Sequence, residues 1–181
     1  MEKIRNIMKE TYDHMMNGVI MHSDMVDLYD FLHLKGFRKW QEHNVEEESC
    51  HVTEIQHHFI KRHHMMIPPY EEHFTSGVIP TSWYDHSAME VTKDDIVREV
   101  KRSLHEYLDW ERKTQIFLKE KTKELIELDA FAEYMDLREL EENVACEIHY
   151  LENLIIELES VGYDSIYIQR LQERFCIEFK E

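Results

Sequence analysis

The sequence predicts an all-α fold: a bundle of four long helices in two antiparallel pairs, joined by a long crossover and followed by a short fifth helix. Three observations carry this. Apolar residues recur in alternating steps of three and four along four stretches, the spacing of one buried helix face. The 181 residues include only four glycines and three prolines, too few to punctuate the many turns of a β-sandwich or barrel. All three prolines fall between residues 67 and 92, which marks one long connection. The length suits a single domain over residues 1–181. With 43% hydrophobic and 11% aromatic residues, the chain can fill a core and is not an acidic disordered tail.

The first helix is expected over residues 4–33, with a stripe through Met8, Tyr12, Met15, Val19, His22, Val26 and Tyr29. Gly36 is expected to break the pattern. A second helix, 37–66, then carries Trp40, Asn44, Glu47, Glu48, His51, Ile55 and Phe59 on one side. It must stop before Pro68-Pro69, because the residue before a proline is driven out of the α region. The span 67–92 has no stable period and far exceeds the usual ~4–6-residue connection. A link of that length can run back along a helix, so it reads as a crossover. Tyr70, Trp83 and Tyr84 are expected to pin it to the bundle.

Thr92, followed by Asp94 and Asp95, has the form of an N-cap with acids facing the positive end of a helix dipole. The third helix, 93–127, buries Val100, Leu104, Leu108, Glu111, Leu118 and Leu125. Asp129 is expected to end it and to cap the fourth, 130–160, whose stripe is Leu137, Leu140, Val144, Glu147, Leu151, Leu154 and Leu158. Gly162 suits the C-cap, and Asp164 opens the fifth helix, 165–179.

Ionisable residues that interrupt these stripes are the informative ones, since buried charge is costly unless paired. They are His22, Glu48, His51, Glu111 and Glu147. His22 and Glu48 lie equidistant from Lys35, the expected centre of the first turn, and Glu111 and Glu147 equidistant from Asp129, the expected centre of the second. Each pair should therefore lie level in the bundle. Glu48-x-x-His51 places a carboxylate and an imidazole on one helical face, the unit that bundles use to hold iron or manganese.

On these residues the chain resembles the ferritin-like superfamily of di-iron carboxylate four-helix bundles. The run Phe37-Arg38-Lys39-Trp40 leading to Glu47-Glu48-Ser49-Cys50-His51 is similar to the aromatic residue and Glu-Glu-x-x-His of the second ferritin helix. Glu111 resembles the single metal-binding Glu of the third helix, and Glu142-Asn143 lies where ferritins have Glu-Gln in the fourth. The resemblance spans residues 10–160 and implies metal ligands at Glu48, His51, Glu111 and Glu142; with the stripe residues, His22 and Glu147 or Glu142 would complete the shell. It implies iron, or manganese or another divalent metal, and for a di-iron pair the oxidation of Fe(II) by oxygen. Two departures stand out. The first helix has no clear metal-binding Glu, with Asn17, His22 and Asp24 as competing substitutes, and the fourth has no second ExxH. A mononuclear, degenerate or empty site is the expectation they raise, and the chain also resembles ferritin-like helical proteins of Firmicutes and their phages, for which no activity is implied.

The alternative is a metal-free structural or interaction protein. A net charge of −17 argues against nucleic acid as a partner, because Lys and Arg must displace counterions from phosphates. No apolar run is long enough to span a membrane, and residues 1–10 lack the apolar stretch of a secretory signal. Three cysteines without CxxC spacing suit a reduced, cytoplasmic chain, with Cys50 and Cys146 as core filling. His57, His58, His63 and His64 read as solvated surface. A homo-oligomer is compatible with all of this. No Gly-rich phosphate loop or Ser-His-Asp pattern is present, so conventional hydrolase, kinase and dehydrogenase readings have no starting point.

Overall fold

The computed structural model describes residues 1–84 and 90–179. The order is α1 (Glu2–Phe31), α2 (Lys35–His63), a 3-10 turn (Thr81–Trp83), α3 (Lys93–Glu127), α4 (Phe131–Ser160) and α5 (Ser165–Glu178). No strand occurs among the described residues. Helices α1 and α2 pack as one antiparallel pair, and α3 and α4 as the other. The crossover joins the pairs, its segment 85–89 lying outside the described residues. Among the described residues no helix is long and apolar enough to cross a membrane.

The ends of the elements correct several expectations. The first turn is tighter, with His33 in the left-handed region at φ 58°, and α2 begins before Gly36. Gly36 is a packing residue and not a break: its backbone lies against the Gln172 carbonyl of α5, and a Cβ there would sit 2.0 Å from that oxygen. Helix α2 stops at His63, short of residue 66, with His64 left-handed at φ 52°. Asp129 does not cap α4. It turns the chain at φ 54°, and Ala130 occupies the N-cap without a side-chain bond. The other caps form as expected: Thr92 and Asp95 make a reciprocal capping box, and Asp164 accepts from Ile166 and Tyr167 amides.

On α1 the buried seam runs through Met8, Met15, Gly18, His22, Met25 and Tyr29, while Tyr12, Val19 and Val26 are half-buried. Crossover and bundle are tied by specific bonds. Tyr70 donates to Asn17 Oδ1 at 2.6 Å, Ser76 to Asp24 at 2.6 Å, and Arg102 to the carbonyls of Gly77 and Val78. Trp83 packs on Phe31 at 5.1 Å, whereas Tyr84 is exposed.

The core is divided. One apolar cluster holds Tyr29, Phe37, Trp40, Leu104, Leu151 and Phe175 at the α5 end. The other holds Met8, Ile55, Phe59, Leu118, Leu125 and Leu137 at the opposite end. Between them lies a polar layer, and that layer is where the interrupted stripes meet. Contact between α2 and α4 is sparse compared with that inside each helix pair, which leaves the layer open on that side.

Candidate metal centre

Four helices line a cavity of about 250 Å³ in this layer. Helix α1 supplies Met15 and His22, α2 supplies Asn44, Glu47, Glu48 and His51, α3 supplies Tyr107 and Glu111, and α4 supplies Leu140, Asn143, Val144, Cys146 and Glu147. Helical spacing explains the convergence: 44, 48 and 51 on α2, 107 and 111 on α3, and 140, 144 and 147 on α4 each fall on one face.

Five of the six predicted site residues border the cavity: Glu48, His51, Glu111, His22 and Glu147. Glu142 does not. It lies two residues from Leu140 and Val144, hence on the far side of α4, where it is exposed and paired with Arg138 at 3.4 Å. Of the substitutes on α1 only His22 reaches the cavity, because Asn17 and Asp24 are bound to the crossover. With the first turn centred on His33, the residue level with His22 is Asn44, which also borders the cavity.

The polar groups fall into satisfied and unsatisfied sets. Asn44 Nδ2 donates to the Tyr107 hydroxyl at 3.0 Å, and that hydroxyl donates to Glu147. His22 Nδ1 lies 2.8 Å from Gln41 Oε1, and its ring meets Tyr107 edge-on. Donation to the amide oxygen fixes the tautomer with the lone pair on Nε2. By contrast, His51 Nδ1 and Glu48 Oε1 stand 3.7 Å apart, an ion-pair distance too long for a hydrogen bond. Both His51 Nδ1 and Glu48 Oε2 are buried without a hydrogen-bond partner. Glu111 is 4% exposed and has neither hydrogen bond nor ion pair among the described residues.

The electrostatics follow from burial among carboxylates. Among the described residues no lysine or arginine borders the cavity. Desolvation, then Glu48 and Glu147, pushes the Glu111 carboxyl well above its ordinary range. Desolvation likewise raises Glu147, against the lowering effect of the Tyr107 hydroxyl. The adjoining Glu48 carboxylate raises the His51 imidazole, while desolvation lowers that of His22. Carboxylates and imidazoles without a cationic side chain are the donor set of a divalent cation, so the chemistry fits one. The arrangement of ligands is another matter: among the described residues no three His, Cys, Asp or Glu groups come together closely enough to hold an ion.

Sequence reasoning missed several groups here. Tyr107 sits one helical turn before Glu111 and gave no signal, because an aromatic at that spacing reads as core. Cys146 borders the cavity and is exposed, as is Cys50, so neither fills the core. Tyr29, on the same α1 stripe as His22, bonds Ser103 at 2.8 Å in the apolar cluster. The histidines at the end of α2 are not all free surface. His63 bonds buried Glu133 at 2.8 Å, and His58 meets Asp136 at 3.2 Å beside Arg62, an ionic link between α2 and α4.

No protein-family model matches the chain, and no curated relative matches it in sequence. Solved structures do. The chain is similar to a novel open pore ferritin from the hyperthermophilic archaeon Archaeoglobus fulgidus, with TM-score 0.77 and 15% identity over 97% of this chain and 95% of that one. It is similar to a humanized archaeal ferritin, with TM-score 0.76 and 15% identity over 97% and 96% of the two chains. A closed form of the Archaeoglobus fulgidus ferritin, engineered by site-directed mutagenesis, aligns with TM-score 0.77 and 15% identity over 97% and 95%. The fold is therefore that of a ferritin-like four-helix bundle.

Proposed function

We propose that this ferritin-like bundle binds a divalent cation, iron foremost and manganese as the near substitute, through Glu48, His51, Glu111 and Glu147. The single observation that supports it most is Glu111, a buried residue with no hydrogen bond or ion pair among the described residues, in a cavity whose described lining includes no lysine or arginine. Burial, then Glu48 and Glu147, disfavours the charged form of this carboxyl, a penalty that a bound cation would offset. The unpartnered atoms of Glu48 and His51 support the same reading. His22, its Nε2 lone pair set by Gln41, would complete the shell from α1. Glu142 has no part in it.

The residues divide the work. Glu48 and Glu111 would hold the ion from opposite helix pairs, and His51 would add affinity for a transition metal. Tyr107, anchored by Asn44, would orient the Glu147 carboxylate. The chemistry that iron would supply when bound is the oxidation of Fe(II) by oxygen, as the resemblance implies. Side chains would have to draw inward on binding, since they border the cavity without converging.

That lack of convergence favours the second reading, a metal-free structural or interaction protein. One experiment separates the two. Protein purified without a histidine tag is analysed for metal content and then melted with and without added Fe(II) or Mn(II). Near-stoichiometric metal, a raised Tm, and loss of both in Glu48→Ala/His51→Ala support the site. A chain that takes up no metal and melts unchanged refutes it.

A further inference from the structure

Helix α5 turns one face to the bundle and leaves the opposite face to solvent. Ile168, Leu171, Gln172 and Phe175 are buried, with Phe175 packed on Phe37 and Trp40. On the far side Ile166, Arg170, Glu173 and Ile177 follow one another in steps of four, three and four, the spacing of a single stripe. At about 100° per residue, that stripe lies opposite the buried one. Both isoleucines are 67% exposed. Arg170 and Glu173, also exposed, stand between them and have no ion pair among the described residues.

The stripe is its own complement. Ile166 and Ile177 are equidistant from the point between Leu171 and Gln172, and so are Arg170 and Glu173. A two-fold axis through that point sets a second α5 antiparallel to the first. Ile166 then meets Ile177 of the other copy, and Arg170 meets its Glu173, each contact occurring twice, as a symmetric interface requires. A parallel pairing would instead set Arg170 against Arg170 and Glu173 against Glu173, and like charges would oppose it. Along α5 Arg170 and Arg174 balance Glu173 and Glu178, so this helix does not carry the negative excess of a chain with net charge −17. We propose that the outer face of α5 is the interface of a two-fold homodimer, with the two helices antiparallel. The contact is one helix of 14 residues, or ~21 Å, which is below the size of permanent interfaces and makes the dimer reversible. It does not depend on whether the mid-bundle cavity holds a cation.

The test is sedimentation velocity of the full chain from about 5 to 500 µM, in the presence of a chelator so that metal plays no part. A reversible monomer–dimer equilibrium is expected, with a Kd on the order of 10–100 µM. Ile177→Lys should weaken it by at least about tenfold. Arg170→Glu and Glu173→Arg should each weaken it, because each sets like charges opposite one another twice. The double variant Arg170→Glu/Glu173→Arg should restore the parent Kd to within about threefold. All these positions are exposed, and unchanged Trp40 fluorescence, through its contact with Phe175, reports that α5 stays in place. A monomer at every concentration overturns the proposal. So does an assembly indifferent to Ile177→Lys, or single charge variants that the double variant does not rescue.

Discussion

The Tyr107 hydroxyl donates to the Glu147 carboxylate of the neighbouring helix while it accepts from Asn44 at 3.0 Å, so one phenol links α2, α3 and α4. Replacement by phenylalanine keeps the ring and removes both bonds. Asn44, which is buried, then loses its acceptor, and Glu147 loses its donor. Tyr107→Phe should destabilise the fold by about 1–3 kcal/mol in urea denaturation, the cost of leaving buried polar groups unpaired. Tyr29→Phe breaks only the bond to Ser103, whose hydroxyl also donates to the Val100 carbonyl, and should cost about 1 kcal/mol. Equal effects would mean that the linked bonds add nothing to a single one.

Glu111 should behave in the opposite way. Burial first, then Glu48 and Glu147, holds its carboxyl well above the usual range, so the folded state favours the protonated form. Its contribution is intact below the ordinary carboxylate range and is lost as pH rises through the raised folded value. Glu111→Gln keeps the shape and removes the charge. In the presence of a chelator the variant should be more stable than the parent at neutral pH by on the order of 1–3 kcal/mol, with the advantage shrinking toward pH ~4. A variant less stable at pH 7 would mean that Glu111 has a partner that stabilises its charge.

Gly36 sets two effects against each other. Alanine is favoured over glycine in a helix by ~1 kcal/mol, yet a Cβ here would stand 2.0 Å from the Gln172 oxygen and 2.7 Å from its carbonyl carbon. Backbone cannot yield as a flexible side chain can, so the clash should win. Gly36→Ala is expected to cost about 1–3 kcal/mol net and to loosen α5, exposing it to proteolysis. Phe175, buried against Phe37 and Trp40, should report the change through Trp40 fluorescence.

The helices and the long crossover were legible in the sequence, because period and proline placement are local signals. Helix α3 matches its expected bounds, and the α4 stripe from Leu137 to Leu158 is buried as drawn except at Glu147, which the cavity leaves half-buried. That five of the candidates would border one cavity was legible for one reason: a charge in an apolar stripe must meet something polar. Glu142, which the resemblance supplied, lies away from the cavity because it falls off the stripe that contains Leu140, Val144 and Glu147. Tyr107 and Cys146 were hidden, since neither residue type interrupts an apolar pattern. Gly36 misled because its role depends on α5, some 136 positions away along the chain. What escaped was set by contacts between distant elements.

His14 makes the fold sensitive to acid. Its ring is stacked between Trp110 at 4.8 Å and Phe117 at 4.4 Å, and Nε2 lies 2.8 Å from the Thr114 hydroxyl. Burial lowers its pKa to about 4. The folded chain thus keeps His14 neutral while the unfolded chain protonates it near 6.5. Stability from this residue is complete above pH 6.5 and is lost as pH falls toward about 4, by up to about 3 kcal/mol. His22, also lowered by burial, acts in the same direction. His14→Phe retains an aromatic ring between Trp110 and Phe117, loses the bond to Thr114, and should be about 1 kcal/mol less stable at pH 7.5. Its stability should then fall less steeply between pH 6.5 and 4, so that urea midpoints of the two proteins converge on acidification. Parallel pH profiles would show that the His14 ring accepts its proton without leaving the stack.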